Sequence, residues 1–258
     1  MNGTENYPGT QAVTRAIVLL KSFSASHPER SLAELAQATG LNKTTAYRIL
    51  AALEHEGLVT RTPHTGAYRL GPELIALGGL ALRSHDLRAA ARPILERLAA
   101  QTGETTTLEV LSQHQVLVLD EVSSRYLVGT SQDVGSRLPI HATSTGKLLL
   151  AYAPPHTVEA VLRAPLPRLG PRTITDPQRL RAELDQIRSQ GYAVAQEELE
   201  SGFVAIAAPV RSHDQCVTAA ISVGGPSLRL QGRRILEVSA QVQAAAQTLS
   251  QQIGYRPG

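Results

Sequence analysis

The sequence predicts an α+β protein: a winged helix-turn-helix, a pair of linking helices, and a larger domain built on an antiparallel sheet. Three observations predict this class. In the first third of the chain, apolar residues repeat at intervals of three and four, which is typical of amphipathic helices. Two short alternating segments joined by a turn follow directly, as in a β-hairpin. Farther along, strand and helix patterns mix without regular alternation, which favours an antiparallel sheet over a parallel one.

The first two helices have recognisable ends. Helix one is predicted from a stripe of apolar residues formed by Val13, Ala16, Ile17 and Leu20. Helix two is predicted to begin at Ser31, because Ser31 and Glu34 have the spacing of a capping box. It should end at Gly40, since glycine readily takes the left-handed conformation that stops a helix and turns the chain.

A third helix and a hairpin complete the motif. Asn42 is a favourable N-cap residue for this helix, and Gly57 should end it. Its buried face is predicted to consist of Ala46, Ile49, Leu50 and Leu53. Strands over residues 58–62 and 67–70 then flank a turn at 63–66. Three helices followed by a hairpin form a winged helix-turn-helix.

A pair of helices is predicted to lead into the larger domain, one over residues 72–83 and one from Leu87 to Gly103, with a pause at residues 84–86. Pro93 should kink the second helix or mark its first turn. Strands are predicted over residues 105–111, 115–122, 192–195, 203–210 and 217–223, and helices over residues 143–152, 156–162, 176–190 and 231–253. The chain therefore divides into a disordered arm (1–9), the winged helix-turn-helix (10–71), a linker helix (72–85) and the larger domain (86–258).

Composition excludes several classes of protein. The 258 residues are 42% hydrophobic, which is enough for a substantial core. The single cysteine, Cys216, excludes an intramolecular disulfide and a cysteine-based zinc site, and it suits a reducing compartment. The longest apolar run, residues 74–82, is too short for a membrane span, which needs about twenty residues. The polar start of the chain has no secretion-signal pattern. We therefore expect a cytoplasmic protein that does not contact membranes.

The exposed face of the third helix has side chains suited to reading DNA. The start of such a helix can enter the major groove, where its side chains face base edges and flanking cations meet phosphates. Lys43 and Arg48 can pair with phosphate or guanine, and His64 lies at the tip of the hairpin, near the DNA backbone or minor groove. The predicted DNA-binding residues are Asn42, Lys43, Thr44, Thr45, Tyr47, Arg48, Arg61, His64 and Arg69.

Each of these residues has a structural alternative. Asn42, Thr44 and Thr45 can serve only to cap the helix, and Arg61 and Arg69 can be solvated strand residues. For the whole motif, the alternative is a winged helix that binds protein. The net charge of +3 is too small to decide between these, so the DNA assignment depends on the local arrangement of side chains.

Several longer motifs point to one family. The motifs are Ser31-Leu-Ala-Glu-Leu-Ala, Lys43-Thr-Thr-Ala-Tyr-Arg-Ile-Leu, Arg137-Leu-Pro-Ile-His-Ala-Thr-Ser-Thr-Gly-Lys and Val204-Ala-Ile-Ala-Ala-Pro-Val. Together they resemble the IclR family of bacterial transcriptional regulators, from about residue 11 to residue 253. The resemblance implies a GAF-like effector-sensing domain, and homodimers or dimers of dimers (homotetramers) on double-stranded palindromic operator DNA.

The same resemblance implies a small-molecule site in the larger domain. The segment 142–146 opens a helix, whose unpaired amides favour an anion, and small residues on two later strands leave room beside it. In the family, this segment and the last two strands line a pocket that commonly takes small organic or aromatic acids. The effector contacts carried over are Thr143, Ser144, Gly146, Phe203, Ala205, Ser222 and Gly224.

The chain departs from the family pattern at this site. Ala205 and Gly224 stand where some members have a thiol or a hydroxyl, which favours a bulkier or more apolar effector than a short keto acid. Glu197 and Glu198 lie nearby in the family layout, and an ionised carboxylate there would repel an acid unless it faces solvent or binds a ligand hydroxyl. In the alternative interpretation, the hydroxyls at the helix start only cap it and Ser222 pairs with the backbone.

Other chemistry has little support in the sequence. Gly146-Lys147 lacks the earlier glycine and the following hydroxyl residue of a phosphate-binding loop. The eight histidines show no zinc-binding spacing, and no Gly-x-Ser-x-Gly elbow occurs. Cys216 is interpreted as a small apolar filler. We expect no metal, no cofactor and no enzymatic activity. Two alternatives stay open: an enzyme built on the larger domain, and a scaffold protein whose sensor fold binds no ligand. Product formation from a ligand would reveal the enzyme, and a melting temperature that ligands do not shift would indicate the scaffold.

Overall fold

The computed structural model describes residues 10–24, 26–83, 86–123 and 133–256. The chain divides into two compact units between residues 84 and 85. The arm predicted at residues 1–9 lies outside the described residues, as do residues 84 and 85 of the pause predicted at 84–86. The third residue of that pause, Asp86, already belongs to a helix, so the prediction was wrong there. The predicted linker helix, Pro72–Arg83, belongs to the N-terminal unit.

The N-terminal unit has the predicted winged helix-turn-helix and one additional strand. Its elements are α1 (Gln11–Lys21), β1 (Glu29–Arg30), α2 (Leu32–Thr39), α3 (Lys43–His55), β2 (Val59–Arg61), β3 (Tyr68–Leu70) and α4 (Pro72–Arg83). The strands form an antiparallel sheet in the order β1-β3-β2. β1 was not predicted, because two residues are too few to show a recognisable alternation. It is a strand because it pairs with β3.

Both predicted caps are present. The Ser31 hydroxyl accepts a hydrogen bond from the Glu34 amide at 3.3 Å, and the Glu34 carboxylate accepts one from the Ser31 amide at 2.7 Å. Gly40 ends α2 with φ = 67°, in the left-handed region that favours glycine. The Asn42 side chain accepts from the Thr45 amide at 2.8 Å and so begins α3. These local hydrogen bonds position α3 directly after the turn.

The buried residues of this unit show that the apolar stripe predicted for α1 was partly wrong. Leu19 is fully buried, whereas Val13 and Ile17 of the predicted stripe are 60% and 45% exposed. All five residues from Ala16 to Leu20 are apolar, so the periodicity of apolar residues did not show which side of α1 faces the core. The buried core consists of Leu19, Leu35, Leu50, Leu53, Val59 and Tyr68.

The C-terminal unit contains one six-stranded antiparallel sheet in the order β6-β5-β4-β9-β8-β7. Its strands are β4 (Thr105–Ser112), β5 (Gln115–Val122), β6 (Arg137–Pro139), β7 (Ala193–Gln196), β8 (Phe203–Arg211) and β9 (Val217–Pro226). Its helices are α5 (Asp86–Thr102), α6 (Ser144–Ala151), α7 (Pro155–Arg163), α8 (Pro177–Gln190) and α9 (Arg233–Gln252). The short strand β6 was not predicted. Pro93 lies inside the continuous helix α5.

The two faces of this sheet bury different residues. Leu108, Ile206 and Ile221 point to one face, where they share a core with residues of α5 and α9. Ala207 and Ala220 point to the other face and share a core with α6, α7 and α8. Small side chains on this second face allow α6 to approach the strands closely. The helix–sheet–helix arrangement confirms the predicted α+β fold.

Two further observations bear on the predictions. Cys216 is exposed in the turn that precedes β9, so its interpretation as an apolar filler was wrong. A neighbouring carboxylate, Asp214, raises the pKa of this thiol, which disfavours the reactive thiolate.

No helix in the described part of the chain is both long and apolar enough to cross a membrane.

Candidate DNA-recognition and effector sites

The start of α3 presents a polar and basic surface. Lys43, Thr44, Tyr47 and Arg48 are exposed, while Thr45 is half-buried behind them. The apolar side of the helix, with Ala46, Leu50 and Leu53, is buried in the core. The structure therefore brings the predicted base-reading residues together on the outer face of a rigid helix.

Arg61 is held by partners inside the N-terminal unit. Its guanidinium donates a hydrogen bond to the Tyr68 hydroxyl and lies 4.6 Å from the centre of the Tyr68 ring. It also lies 5.6 Å from the centre of the Tyr47 ring and 3.4 Å from the Glu54 carboxylate. These contacts join β2 to α3. Any phosphate contact by Arg61 has to compete with them, so its direct role in DNA binding stays a prediction.

The hairpin places its other predicted contacts at the surface. His64 is exposed at the tip, and the Arg69 guanidinium donates to the Thr60 hydroxyl at 3.1 Å. The Thr62 hydroxyl donates to the Glu29 carboxylate of β1 at 2.9 Å. β1 therefore supports the wing, a role that sequence reasoning missed.

Asn42 offers a test that separates capping from DNA contact. Asn42→Ala should lower the free energy of unfolding of the N-terminal unit by about 1 kcal/mol, because the Thr45 amide loses its acceptor. Asn42→Ser should restore most of this stability, since serine is an equally good cap. Thermal unfolding and operator titration of both variants check this. If Asn42→Ser is stable but binds DNA as weakly as Asn42→Ala, Asn42 contacts DNA itself.

The predicted effector residues of β8 and β9 share one face of the sheet. Ala205 pairs with Gly224, and Ala207 pairs with Ser222, so these side chains lie on the same side. This face packs against α6, whose first turn contains the other predicted contacts. The register therefore brings the predicted set to one region of the C-terminal unit.

Three of the predicted effector residues have structural roles there. The Thr143 hydroxyl accepts from the Gly146 amide at 3.1 Å and donates to the Pro139 carbonyl at 3.0 Å, so it caps α6. A Cβ on Gly146 would overlap the Ile140 carbonyl, which explains the glycine. A Cβ on Gly224 would lie 2.6 Å from the Phe203 ring, so that ring occupies the space that glycine leaves. Effector contact by these residues stays a prediction.

Ser222 belongs to a buried chain of polar groups. Its hydroxyl lies 2.7 Å from the Thr107 hydroxyl, which donates to the Glu109 carboxylate at 2.7 Å. The Thr145 side chain also hydrogen-bonds this carboxylate, and burial raises the pKa of Glu109. Sequence reasoning missed Thr107 and Glu109. The signal that it overlooked was a charged residue at an inward position of an alternating strand.

A second buried cluster surrounds Lys147, whose side chain is 0% exposed. Its ammonium lies 2.7 Å from the carboxylates of Glu183 and Glu198 and donates to the Val194 carbonyl at 2.9 Å. A carboxylate at Glu198 was expected to repel an acidic effector, but the Lys147 ammonium balances its charge. Burial raises the pKa of Glu198, and Lys147 opposes that shift.

Metal binding has no structural support in the described residues. Within residues 10–24, 26–83, 86–123 and 133–256, no group of three His, Cys, Asp or Glu side chains is arranged to hold a metal ion.

A winged helix with an exposed polar recognition helix, followed by a separate sheet unit, defines the class of DNA-binding transcriptional regulators. Two family models match the chain: the IclR helix-turn-helix domain over residues 12–63, and the bacterial transcriptional regulator IclR C-terminal domain over residues 79–251. The chain belongs to the IclR family.

Curated relatives match over nearly the whole chain. The HTH-type transcriptional regulator XynR of Escherichia coli is 31% identical over 96% of this chain and 99% of its own. The HTH-type transcriptional regulator BhcR of Paracoccus denitrificans is 35% identical over 96% and 89%. The transcriptional repressor IclR of Escherichia coli is 32% identical over 93% and 89%. These relatives are regulators of transcription.

Solved structures share the fold. A putative IclR regulator from Silicibacter has a TM-score of 0.86 and 33% identity, over 96% of this chain and 98% of its own. An IclR homologue from Microbacterium hydrocarbonoxydans, complexed with 4-hydroxybenzoate, has a TM-score of 0.81 and 33% identity, over 94% and 98%.

Proposed function

We propose that this protein is a cytoplasmic, sequence-specific regulator that binds palindromic operators as a homodimer or a dimer of dimers, and that a small organic or aromatic acid modulates this binding. The observation that carries the proposal is the exposed start of α3, where Lys43, Thr44, Tyr47 and Arg48 lie on the outer face of a capped helix. A helix of this kind fits the major groove.

Exposed apolar side chains of the N-terminal unit support self-association. Ile75, Leu77 and Leu80 of α4 are 78%, 47% and 57% exposed, and Val13 and Ile17 of α1 are exposed as well. A protein partner that covers these side chains would remove apolar area from water. A second copy of the chain would also supply the second recognition helix that a palindromic operator requires.

The neighbour bound to 4-hydroxybenzoate supports an acid effector. In this chain, we expect the effector at the sheet face that carries Ala205 and Ser222, beside the start of α6. An effector that binds one dimer arrangement better than another would shift the population toward it. Half-sites on one face of DNA lie about 34 Å apart, so a small change in the spacing of recognition helices alters affinity.

The test is selection of binding sites from a random duplex library, with and without a pool of small organic and aromatic acids. A palindromic consensus that weakens or changes with the pool supports the proposal. Retention of all sequences with only salt-sensitive affinity would contradict sequence-specific reading.

Lys43→Ala should lower affinity for all DNA sequences and reduce the salt dependence by about one counterion, because a phosphate contact is lost. Operator titrations at several salt concentrations measure this slope. Arg233→Ala, which removes a 91% exposed charge from the C-terminal unit, is the matched control and should leave the slope unchanged. An unchanged slope for Lys43→Ala would remove this lysine from the DNA surface.

A further inference from the structure

Glu109 is a buried carboxyl group at the face of the sheet where the effector is expected. It is 2% exposed and lies on β4, next to β9, which carries Ser222. In the described part of the chain, no cationic side chain forms an ion pair with it. The hydroxyls of Thr107 and Thr145 hydrogen-bond its carboxyl group. A carboxyl group in such surroundings favours its neutral form.

The hydrogen bonds around Thr107 have a direction that depends on Glu109. A hydroxyl has a single proton to donate. When Glu109 is ionised, Thr107 donates to it at 2.7 Å, so Ser222 must supply the proton for the 2.7 Å contact with Thr107. Ser222 then offers only lone pairs to anything else. When Glu109 is protonated, its O–H can donate to Thr107, Thr107 donates to Ser222, and the Ser222 proton becomes free.

A carboxylate is an acceptor only, so it needs a donor at Ser222. An ionised Glu109, which is buried, would also repel this carboxylate. Both obstacles disappear when Glu109 carries a proton. We propose that Glu109 is a specificity-determining residue that makes acid binding proton-linked: an acidic effector binds at this face together with one proton taken up by Glu109. This inference rests on the proposed effector function.

Other charged groups near Glu109 do not counteract its preference for the neutral form. On β5, the charge of Glu121 raises the pKa of Glu109 further. β9 carries no titratable side chain. On α6, the Lys147 ammonium is committed to Glu183 and Glu198.

The test uses the full-length protein with benzoate, 4-hydroxybenzoate and the neutral analogue benzamide as probes. Calorimetry in two buffers of different ionisation enthalpy measures proton uptake. For wild type at pH values above the pKa of Glu109, we expect uptake of about one proton per benzoate and a Kd that rises about tenfold per pH unit. Below that pKa, Glu109 is already protonated, so the uptake should vanish and the Kd should level off. Benzamide should bind without proton uptake, because its amide supplies donors itself.

Glu109→Gln should bind benzoate without proton uptake and with a flat pH profile, because the glutamine amide does not titrate and its NH2 group can donate to Thr107 at every pH. Glu159→Gln, which changes an exposed carboxylate on α7, should behave as wild type. The proton count of the wild type tests the inference even if Glu109→Gln does not fold.

The outcomes separate this inference from the proposed function. Benzoate binding with a Kd that does not change with pH and without proton uptake at any pH, combined with release of the operator, overturns the role of Glu109 and leaves the proposed function intact. Proton-linked binding that leaves operator affinity unchanged supports the role of Glu109 and overturns the effector function. Failure of every acid to bind at any pH overturns both.

Discussion

Gly146→Ala should destabilise the C-terminal unit by about 3 kcal/mol, although alanine is normally the better helix former by about 1 kcal/mol. Gly146 lies in α6, and an added Cβ would stand 2.7 Å from the Ile140 carbonyl carbon and 2.6 Å from the Thr143 hydroxyl. The Thr143 hydroxyl is held in place, because it caps the helix and donates to the Pro139 carbonyl, and the Ile140 carbonyl is a backbone group. The helix start would have to move away from the sheet, and the buried groups of its first turn would lose their partners.

Gly78→Ala is the matched control, because Gly78 lies inside α4 and an added Cβ there has nothing within 4 Å. This substitution should stabilise the N-terminal unit by about 1 kcal/mol. Urea unfolding followed by circular dichroism measures both variants. If Gly146→Ala is as stable as wild type, α6 does not approach the Ile140 carbonyl as closely as described.

Lys147→Met should lower the free energy of unfolding of the C-terminal unit by about 3–5 kcal/mol. The methionine side chain has a similar volume, so the loss comes from charge and not from a cavity. Removing the ammonium leaves the carboxylates of Glu183 and Glu198 facing each other without a cation, and Glu198 is 8% exposed. Removing one partner of a buried ion cluster leaves a buried charge without a counterion, which costs several kcal/mol of stability. Replacing the whole cluster by apolar residues would cost much less.

Glu183→Gln should cost much less, about 1 kcal/mol, because Glu183 is 28% exposed and Glu198 still neutralises Lys147. The same unfolding experiment compares the two variants. A loss below about 1 kcal/mol for Lys147→Met would show that Glu198 is already neutral in the folded protein.

The fold was predictable wherever local chemistry decides it. Ser31 and Asn42 cap their helices as predicted, because a cap needs partners only three residues away, and Asp176 caps α8 in the same way. The strands β1 and β6 were missed because their definition depends on partners far along the chain. The buried face of α1 was misassigned for the same reason, since several apolar positions compete and tertiary contacts choose among them.

The candidate sites were predictable to different degrees. The face of α3 follows from helical periodicity, so its exposed residues were identified from the sequence. The clusters around Glu109 and Lys147 each join segments that are far apart in the chain; Lys147 and Glu198, for example, are separated by 51 positions. No local sequence pattern indicates that such distant residues are in contact. Only the sheet register and the helix packing show it.

The tyrosine contacts of Arg61 have a consequence for the thermodynamics of operator binding. A long side chain that becomes immobilised on DNA loses conformational entropy, typically about 0.5–1.5 kcal/mol for each rotamer-rich side chain. Arg61 is already held against the rings of Tyr47 and Tyr68 in the free protein, so this loss precedes encounter with DNA. A DNA contact by Arg61 that keeps both tyrosine contacts would therefore carry a smaller entropic penalty than a contact by a mobile arginine, whereas a contact that breaks them would not.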